Sequence, residues 1–230
     1  MRCFFCENII VGENVVLGRD DNKHLFKTLR GAPGDFVQLC DGLGRIGEAE
    51  ILPERQLVVR KVESFSEPQV KIHLYVSPPR RNKMDTLLKQ SAETGIWRIV
   101  PVISENSVVV PDKISDRQLT LLREGCKQSR NPFLPQMSDP VKFTEALDDS
   151  SSLDAVFYGD MTRAKSATEL EPPLNIGFFV GPEGGFTDTE VELMKEKGCI
   201  PFPWFPCIPW FPIIPDETEP KLSQKLLKFY

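Results

Sequence analysis

The sequence has few groups that could bind a metal ion. Its 230 residues include two histidines, His24 and His73, and neither belongs to a pair with metal-ligand spacing. The six cysteines contain one Cys-x-x-Cys pair, Cys3 and Cys6, which lacks the two further ligands that a zinc site needs. We therefore expect no metal and two reduced thiols on a half-buried first strand, with a metal or redox role as the less favoured alternative.

Signals for export or membrane insertion are also missing. The first 22 residues contain no small-residue cleavage site after an apolar core. No run of 18 or more apolar residues is present, and the nearest candidate, residues 199–214, contains five prolines that would break a spanning helix. We expect a cytoplasmic protein that does not contact membranes.

The charge balance excludes a general polyanion binder. The chain carries 28 Lys and Arg against 33 Asp and Glu, a formal net charge of −5. Any contact with nucleic acid must therefore come from a local basic surface. The 40% hydrophobic content is typical of a globular protein with a substantial core.

Residues 1–67 predict a small β-barrel or β-sandwich. Short β-type runs alternate with turns, including a hairpin around Gly12 and a second turn at Asp41-Gly42. The one helical candidate covers residues 22–30. A composition change at residues 66–69 marks the predicted domain boundary.

Residues 71–230 predict an α/β domain with a mainly parallel sheet, because strands and helices alternate along the chain. Capping-box spacings at Ser115/Gln118 and Thr187/Glu190 predict the starts of two helices. Gly95 and Gly198 stand where left-handed residues end helices.

The stretch FVGPEGGFTDTE, residues 179–190, is the strongest candidate for a ligand loop. Its glycines permit positive φ and close backbone approach, and the next helix points its positive end at the loop. The spacing is neither a dinucleotide fingerprint nor a phosphate-binding P-loop, and Glu183, expected to be buried, would repel a polyphosphate. A neutral or cationic ligand fits better. A plain strand-to-helix turn, with glycines present for shape alone, is an equally good interpretation of these residues.

Four stretches in the correct order resemble the RsmE-like family, the N3-uridine methyltransferases of 16S ribosomal RNA in the SPOUT superfamily. The four stretches, which span residues 24–198, are HLFKTLR with GDFVQLCDGLG, then KMDTLLKQSAETGIWRIVPVISENS, then REGCKQSRNPFLP, and finally GPEGGFTDTEVELMKEKG. The glycine loop together with Gln128 and Arg130 is the most specific part of the match.

This resemblance implies a PUA-like β-barrel RNA-binding domain at 1–67 and a trefoil-knotted SPOUT α/β methyltransferase domain at 71–230. It implies S-adenosylmethionine as cofactor, with Gly181, Glu183, Gly184 and Gly185 lining the pocket. A sulfonium cation suits the neutral-or-cationic preference of the loop. It also implies a homodimer that acts on 16S ribosomal RNA or the small ribosomal subunit.

Local basic groups provide candidate RNA contacts. For any single one, an ordinary solvated side chain is the simpler interpretation, but the family match favours phosphate contact for the groups. The predicted RNA-binding residues are Arg30, Arg80, Arg81, Lys83, Lys89, Gln128 and Arg130. Glu93 and Arg130 are the candidate catalytic residues, with a salt bridge on a helix face as the alternative for each.

The family pattern stops near Cys199, so the knot region 199–230 is atypical. The Leu-Gly turn and the arginine of the family are missing there, and PWFPCI is followed directly by PWFPII at residues 203–214. An RNA-binding protein that has lost its cofactor site is therefore a second hypothesis. An unrelated α/β nucleotide-binding enzyme is a third.

Overall fold

The computed structural model describes residues 2–160 and 174–203, except for the side chains of Asp160 and Pro203. The described chain divides into two compact units. The first contains residues up to 67 together with 88–93 and 120–134, and the second contains 68–87, 94–119 and the described residues from 135 onward. Most of the PWFPCI and PWFPII repeat therefore lies outside the described residues.

The first unit is built on a five-stranded sheet with the order β1-β3-β4-β5-β2. Strand β1 pairs with β3 in parallel, and the other neighbours are antiparallel. Its strands are β1 Cys3–Phe5, β2 Asn14–Val15, β3 Phe36–Cys40, β4 Arg45–Ile51 and β5 Leu57–Ser64. Alternate side chains of these strands form its core, which includes Phe4, Leu39, Ala49 and Val59.

The predicted turn at Asp41-Gly42 is confirmed, but the predicted hairpin around Gly12 is wrong in its first arm. The Asp41 carboxylate accepts hydrogen bonds from the amides of Leu43 and Arg45 at 2.7 and 2.9 Å, which fixes the first turn. Strand β2, Asn14–Val15, follows Gly12, but residues 6–11 before Gly12 do not form a strand. The Ile9 side chain packs against Gly47, because a Cβ added to Gly47 would lie 2.5 Å from it. The segment before Gly12 therefore packs on the face of the sheet instead of pairing with an edge strand.

The predicted helix at 22–30 is present in a different form. An α-helix, α1, covers Arg19–Lys23, and a π-helical turn continues it over His24–Thr28. Leu25 and Phe26 from this turn are buried in the core. The start of the helix was predicted too late, because its first turn is entirely polar and apolar spacing does not reveal it.

Two longer helices, α2 Arg81–Thr94 and α3 Asp116–Ser129, contribute their C-terminal halves to the first unit. They pack closely where Gly125 faces Ala92. A Cβ on Gly125 would lie 2.7 Å from the Cβ of Ala92, so only glycine allows this approach. Asn131 continues the contact by donating to the Ala92 carbonyl at 2.9 Å.

The second unit contains a seven-stranded sheet in which every described pairing is parallel. The predicted mainly parallel α/β sheet is therefore confirmed. Its order is β12-β10-β11-β6-β7-β8, and β9 also pairs with β7. The strands are β6 Val70–Val76, β7 Arg98–Ile103, β8 Gln136–Met137, β9 Val141–Lys142, β10 Ala155–Asp160, β11 Leu174–Val180 and β12 Ile200–Pro203.

The sheet of the second unit is buried on both faces. Tyr75 stacks on Phe179 with ring centroids 4.6 Å apart on one face, where helices α4 Phe143–Ser150 and α5 Asp188–Glu196 also pack. Phe157 and Phe178 stack at 5.2 Å on the other face, since alternate residues of a strand point to opposite sides. Among the described residues, none of the helices is long and apolar enough to cross a membrane.

Candidate cofactor site

Three neighbouring strands of the second unit end at the same edge of the sheet. Val76 pairs with Val180 on one side and with Pro101 on the other, so β6, β7 and β11 run in register toward this edge. The amide of Ser77 donates to the carbonyl of Val180 at 2.9 Å, directly before the glycine loop begins. Ligands of open α/β sheets bind beyond the carboxyl ends of the strands, which is the position of this loop.

A chain of three hydroxyl groups lies at the ends of β6 and β7. Ser77 Oγ is 2.9 Å from Ser104 Oγ, and Ser104 Oγ is 3.0 Å from Ser107 Oγ. The Ser107 hydroxyl also accepts a hydrogen bond from the Ser104 amide at 2.9 Å. No role was predicted for these serines. Ser77 and Ser104 are each the last residue of a predicted strand, and this position is the signal that could have identified them.

The glycine loop is a tight turn held by a neighbouring loop. The Gly185 amide donates to the Pro182 carbonyl at 2.9 Å, and Gly185 has a φ of 75°, as expected for a glycine-dependent turn. Asn106 Nδ2 donates to the Gly185 carbonyl at 3.1 Å. At Gly181 the constraint is packing, because a Cβ there would lie 3.0 Å from the Phe186 ring, which would have to shift to accommodate it.

Glu190 connects the same two loops through its carboxylate. It accepts from the Thr187 amide at 2.9 Å and from the Glu105 amide at 2.9 Å. The Glu190 amide in turn donates to Thr187 Oγ1 at 3.3 Å, so the predicted capping box is confirmed. Glu190 is only 6% exposed, and this buried carboxylate holds residues 105 and 187 together.

Glu183 is exposed, so the expectation that it is buried was wrong. Its side chain retains 46% of its accessible surface and accepts a hydrogen bond from Lys83 Nζ at 2.7 Å. This lysine, with a smaller contribution from Arg80, holds the pKa of the Glu183 carboxyl below its ordinary value. The contact brings together a predicted RNA-binding residue and a predicted cofactor-binding residue.

The remaining predicted RNA-binding residues have varied surroundings. Lys89 forms an ion pair with Glu124 at 2.9 Å on the faces of α2 and α3. Arg30 and Arg130 occupy the left-handed region, with φ values of 57° and 58°. The exposed members of the group are Arg30, Arg80, Arg81, Lys83, Gln128 and Arg130.

The two predicted catalytic residues belong to the first unit. Glu93 is half-buried near the end of α2, and Arg130 follows the end of α3. The glycine loop belongs to the second unit. Their catalytic role stays a prediction.

The cysteines of the described residues are free thiols. A hydrogen bond from Cys40 and the charges of Lys127 and Arg130 lower the pKa of the Cys3 thiol despite its burial. Burial raises the pKa of Cys126 to about 12. Within residues 2–160 and 174–203, no group of three or more His, Cys, Asp or Glu side chains could hold a metal ion.

Comparison with known proteins identifies the family of this chain. The profile of the RNA methyltransferase domain family matches residues 66–204. A ribosomal RNA small subunit methyltransferase E of Aquifex aeolicus is 30% identical over 148 residues, covering 61% of this chain and 62% of the relative. The corresponding protein of Synechocystis is 23% identical over 202 residues, covering 84% and 67%.

A solved structure extends the similarity to most of the fold. The ribosomal RNA small subunit methyltransferase E of Neisseria gonorrhoeae, bound to S-adenosylmethionine, is 28% identical. It superposes with a TM-score of 0.78 over 88% of both chains. These similarities leave no support for an unrelated nucleotide-binding enzyme. The chain, with its glycine loop at the carboxyl edge of a parallel sheet, belongs to the RNA methyltransferase domain family.

Proposed function

We propose that the protein transfers a methyl group from S-adenosylmethionine to N3 of a uridine in small-subunit 16S ribosomal RNA. The family profile and the named relatives support an RNA substrate of this class. The Neisseria relative, similar over 88% of each chain, supports the cofactor. N3 of uridine is the more specific part, and the resemblance of the glycine loop, Gln128 and Arg130 to the RsmE-like family supports it.

The observation that carries the proposal is the fixed loop at the ends of β6, β7 and β11. Asn106 and Glu190 hold it from one side, while Glu183, Gly184 and Gly185 remain exposed. A Cβ placed on Gly185 would meet nothing within 4 Å, so there is space for a ligand beside the turn. The residues present therefore fit a nucleoside that is recognised by backbone groups.

When bound, S-adenosylmethionine supplies an electrophilic methyl group on a positively charged sulfur. The backbone at Gly181 and Gly184 would hold the cofactor by hydrogen bonds. Gly185, whose amide already donates to the Pro182 carbonyl, would line the pocket and could accept through its carbonyl oxygen beside the bond from Asn106. Glu183 would provide a negative charge that suits a cation, and its hydrogen bond from Lys83 lowers the pKa of this carboxyl.

The RNA must present an unpaired base, because N3 of uridine is engaged in a normal base pair. Exposed Arg81 begins α2 and exposed Arg80 directly precedes it; both would hold phosphates, as would Arg30 and Gln128. Lys89 would have to leave Glu124 to contact RNA. Alignment of the methyl carbon with N3 can lower the barrier by about 7–11 kcal/mol, so catalysis requires mainly positioning and loss of the N3 proton. Glu93 and Arg130 are the proposed residues for that step.

The wider organisation is part of the same proposal. Residues 1–67 would form a PUA-like RNA-binding domain, and 71–230 a knotted SPOUT domain that acts as a homodimer. A cytoplasmic location accompanies this function. The resemblance of the stretches between residues 24 and 198 to the RsmE-like family supports these assignments.

Transfer of labelled methyl groups to small ribosomal subunits tests the proposal. Subunits that lack N3-methyluridine are incubated with the protein and labelled S-adenosylmethionine, and the digested RNA is analysed for that nucleoside. We expect label in N3-methyluridine with wild-type protein and at least a tenfold lower rate with Gly185→Val, since the turn requires a φ of 75°. Glu192→Gln, an exposed change in α5, is the matched control. Label in another nucleoside would contradict the assignment to N3.

A second candidate function is RNA binding without methyl transfer. The sequence after Cys199 favours it, since the Leu-Gly turn and the arginine of the family are missing. Isothermal titration with S-adenosylmethionine separates the two candidates. Micromolar or tighter binding supports the enzyme, whereas RNA binding without measurable cofactor binding supports the alternative.

A further inference from the structure

The first unit contains a basic cleft within residues 1–67, the region that the proposed function assigns to RNA binding without naming the side chains that would do it. It has a volume of about 510 Å³, within the range of about 300–1,000 Å³ typical of ligand sites. Four cationic side chains line it, together with one carboxylate, Asp20, and one aromatic ring, Phe26. The cations of this basic cleft are Arg19, Lys23, Lys27 and Arg55.

Within the described residues, no ion pair joins one of these four cations to a carboxylate. Elsewhere in the same unit, basic side chains form close ion pairs, for example Lys127 with Asp21 at 2.9 Å and Arg60 with Glu50 at 2.7 Å. The cleft thus collects four positive charges against one negative charge in a protein whose net charge is −5. Such a local excess attracts an anion.

The aromatic side of the cleft is formed by two residues in uncommon conformations. The guanidinium carbon of Arg55 lies over the Phe26 ring, 5.5 Å from its centroid. Arg55 and Glu54 have φ values of 60° and 61°, and each left-handed non-glycine residue costs about 1–2 kcal/mol. Phe26 itself lies in the π-helical turn His24–Thr28, a geometry common at functional sites. Left-handed backbone at Arg55, on one side of a cation–π contact, is the kind of strain that clusters at binding sites, which favours a role for this contact beyond packing.

We propose that the basic cleft binds one unpaired nucleotide of the RNA substrate. The proposal rests on the proposed function for the identity of the polymer, but its site is separate from the glycine loop in sequence. The outer face of the Arg55 guanidinium stacks on the base, and Phe26 supports its inner face. Arg19, Lys23 and Lys27 hold the flanking phosphates.

The residues favour a single strand over a duplex and over a simple acidic protein surface. A planar guanidinium backed by an aromatic ring suits an exposed base face, which duplex RNA keeps stacked. An acidic peptide would use the cations but would not need the Arg55–Phe26 stack. The volume of the cleft also suits one nucleotide better than a helix.

Binding of a fluorescent 12-nucleotide single-stranded RNA, measured by anisotropy over a range of salt concentrations, tests the phosphate contacts. For Lys23→Gln/Lys27→Gln we expect at least tenfold weaker binding at low salt and a salt slope shallower by about 1.4, at about 0.7 for each phosphate that is no longer neutralised. The matched control is Lys61→Gln/Lys113→Gln, which removes two exposed lysines outside the cleft. A cleft variant with the affinity and slope of the control would overturn the proposal.

The variant Arg55→Lys tests the stacked base, because it keeps the charge and removes the planar group. We expect about fivefold or greater loss of affinity for the single strand with an unchanged salt slope. We expect no loss for the same strand made abasic, for a blunt duplex or for a poly-aspartate peptide. Equal losses for any of these probes would show that the cleft reads charge alone and would overturn the nucleotide assignment.

Cofactor titration separates failure of this inference from failure of the proposed function. The cleft variants are expected to bind S-adenosylmethionine as the wild type does. If the wild type neither binds the cofactor nor transfers methyl groups, but the cleft variants still bind RNA more weakly, the cleft assignment stands without the enzyme. If methyl transfer is normal and the variants bind RNA normally, the enzyme stands and the cleft assignment is wrong.

Discussion

Glu190 accepts hydrogen bonds from two backbone amides that belong to different loops. Truncation to alanine would remove a charged acceptor and leave the amides of Glu105 and Thr187 without this partner. We expect Glu190→Ala to lower the free energy of unfolding by about 3 kcal/mol. Chemical denaturation measures this value.

The exposed neighbour Glu192 provides the control for this change. It lies on the same helix and forms an exposed pair with Lys195 at 2.7 Å. Glu192→Ala should alter stability by less than about 0.5 kcal/mol. Equal effects of the two changes would mean that the link between the loops contributes nothing to stability.

The ion pair between Lys83 and Glu183 makes a prediction about pH. Because the lysine lowers the pKa of the carboxyl, the pair contributes at pH values above the ordinary pKa, and the contribution is lost as pH falls through the lowered pKa. Lys83→Met should therefore raise the pKa of Glu183 toward its ordinary value of about 4.3. Carbon-detected NMR titration of the Glu183 side chain measures the change. Lys195→Met, whose partner is Glu192, should leave this titration unaltered.

The sequence predicted the glycine loop, but it assigned burial to the wrong glutamate. Glu183 stands among glycines after a hydrophobic strand, which suggested an enclosed position. Glu190 stands in a polar first helical turn but is buried, and its carboxylate accepts from the amide of Glu105, which is distant in sequence. The capping-box spacing identified the local partner of Glu190, but not Glu105, since contacts across 85 residues leave no local pattern.

Helices α2 and α3 meet at Gly125, where helix propensity favours alanine but close packing favours glycine. Alanine is favoured over glycine by about 1 kcal/mol inside a helix. At Gly125, however, a Cβ would lie 2.6 Å from the Lys89 carbonyl oxygen, and backbone atoms cannot move aside cheaply. We expect Gly125→Ala to destabilise the protein by about 1–3 kcal/mol, because overpacking outweighs propensity.

Thermal and chemical unfolding measure the effect of this change. Thr86→Ala, an exposed change in α2, is the control and should have an effect within about 0.5 kcal/mol. A more stable Gly125→Ala variant would show that the two helices can separate without loss.

The longer elements were predicted well because their periodicity is strong. Helices α2, α3 and α5 and strands β6, β7, β10 and β11 lie where apolar spacing placed them. Helix α4 was missed because it has eight residues, and Lys142 at its N-cap makes no capping hydrogen bond. Strand β12 contains Pro201 and Pro203, which argued against a strand. Its pairing with β10 at one end of the described sheet explains why prolines are tolerated there.

For the whole molecule, cofactor binding should appear as added stability. A ligand that binds only the folded state at a hundred times its dissociation constant adds about 2.7 kcal/mol. We therefore expect S-adenosylmethionine to raise the midpoint of thermal unfolding of the wild type. Gly185→Val should lose most of this increase, since its turn needs positive φ, while Glu192→Gln should retain it. An equal increase in all three proteins would place the ligand away from the glycine loop.

The sequence also indicated correctly that charge would be uneven across an acidic molecule. Its net charge of −5 predicted that RNA contact would depend on local basic groups. It did not identify the basic cleft, because Arg55 is separated from Lys23 and Lys27 by about half of the N-terminal unit. Only the fold brings these side chains to one cleft.

The prolines of strand β12 also bear on self-association. Pro201 and Pro203 cannot donate backbone hydrogen bonds, so a strand that keeps its parallel pairing with β10 must direct the amides of Ile200 and Phe202 toward it. Since successive residues of a strand direct their amides to opposite sides, the missing amides are those on the outer side. Among the described residues the sheet ends at β12, and a strand from another molecule that approached it there would find acceptors without donors, which disfavours amyloid-like growth at this margin.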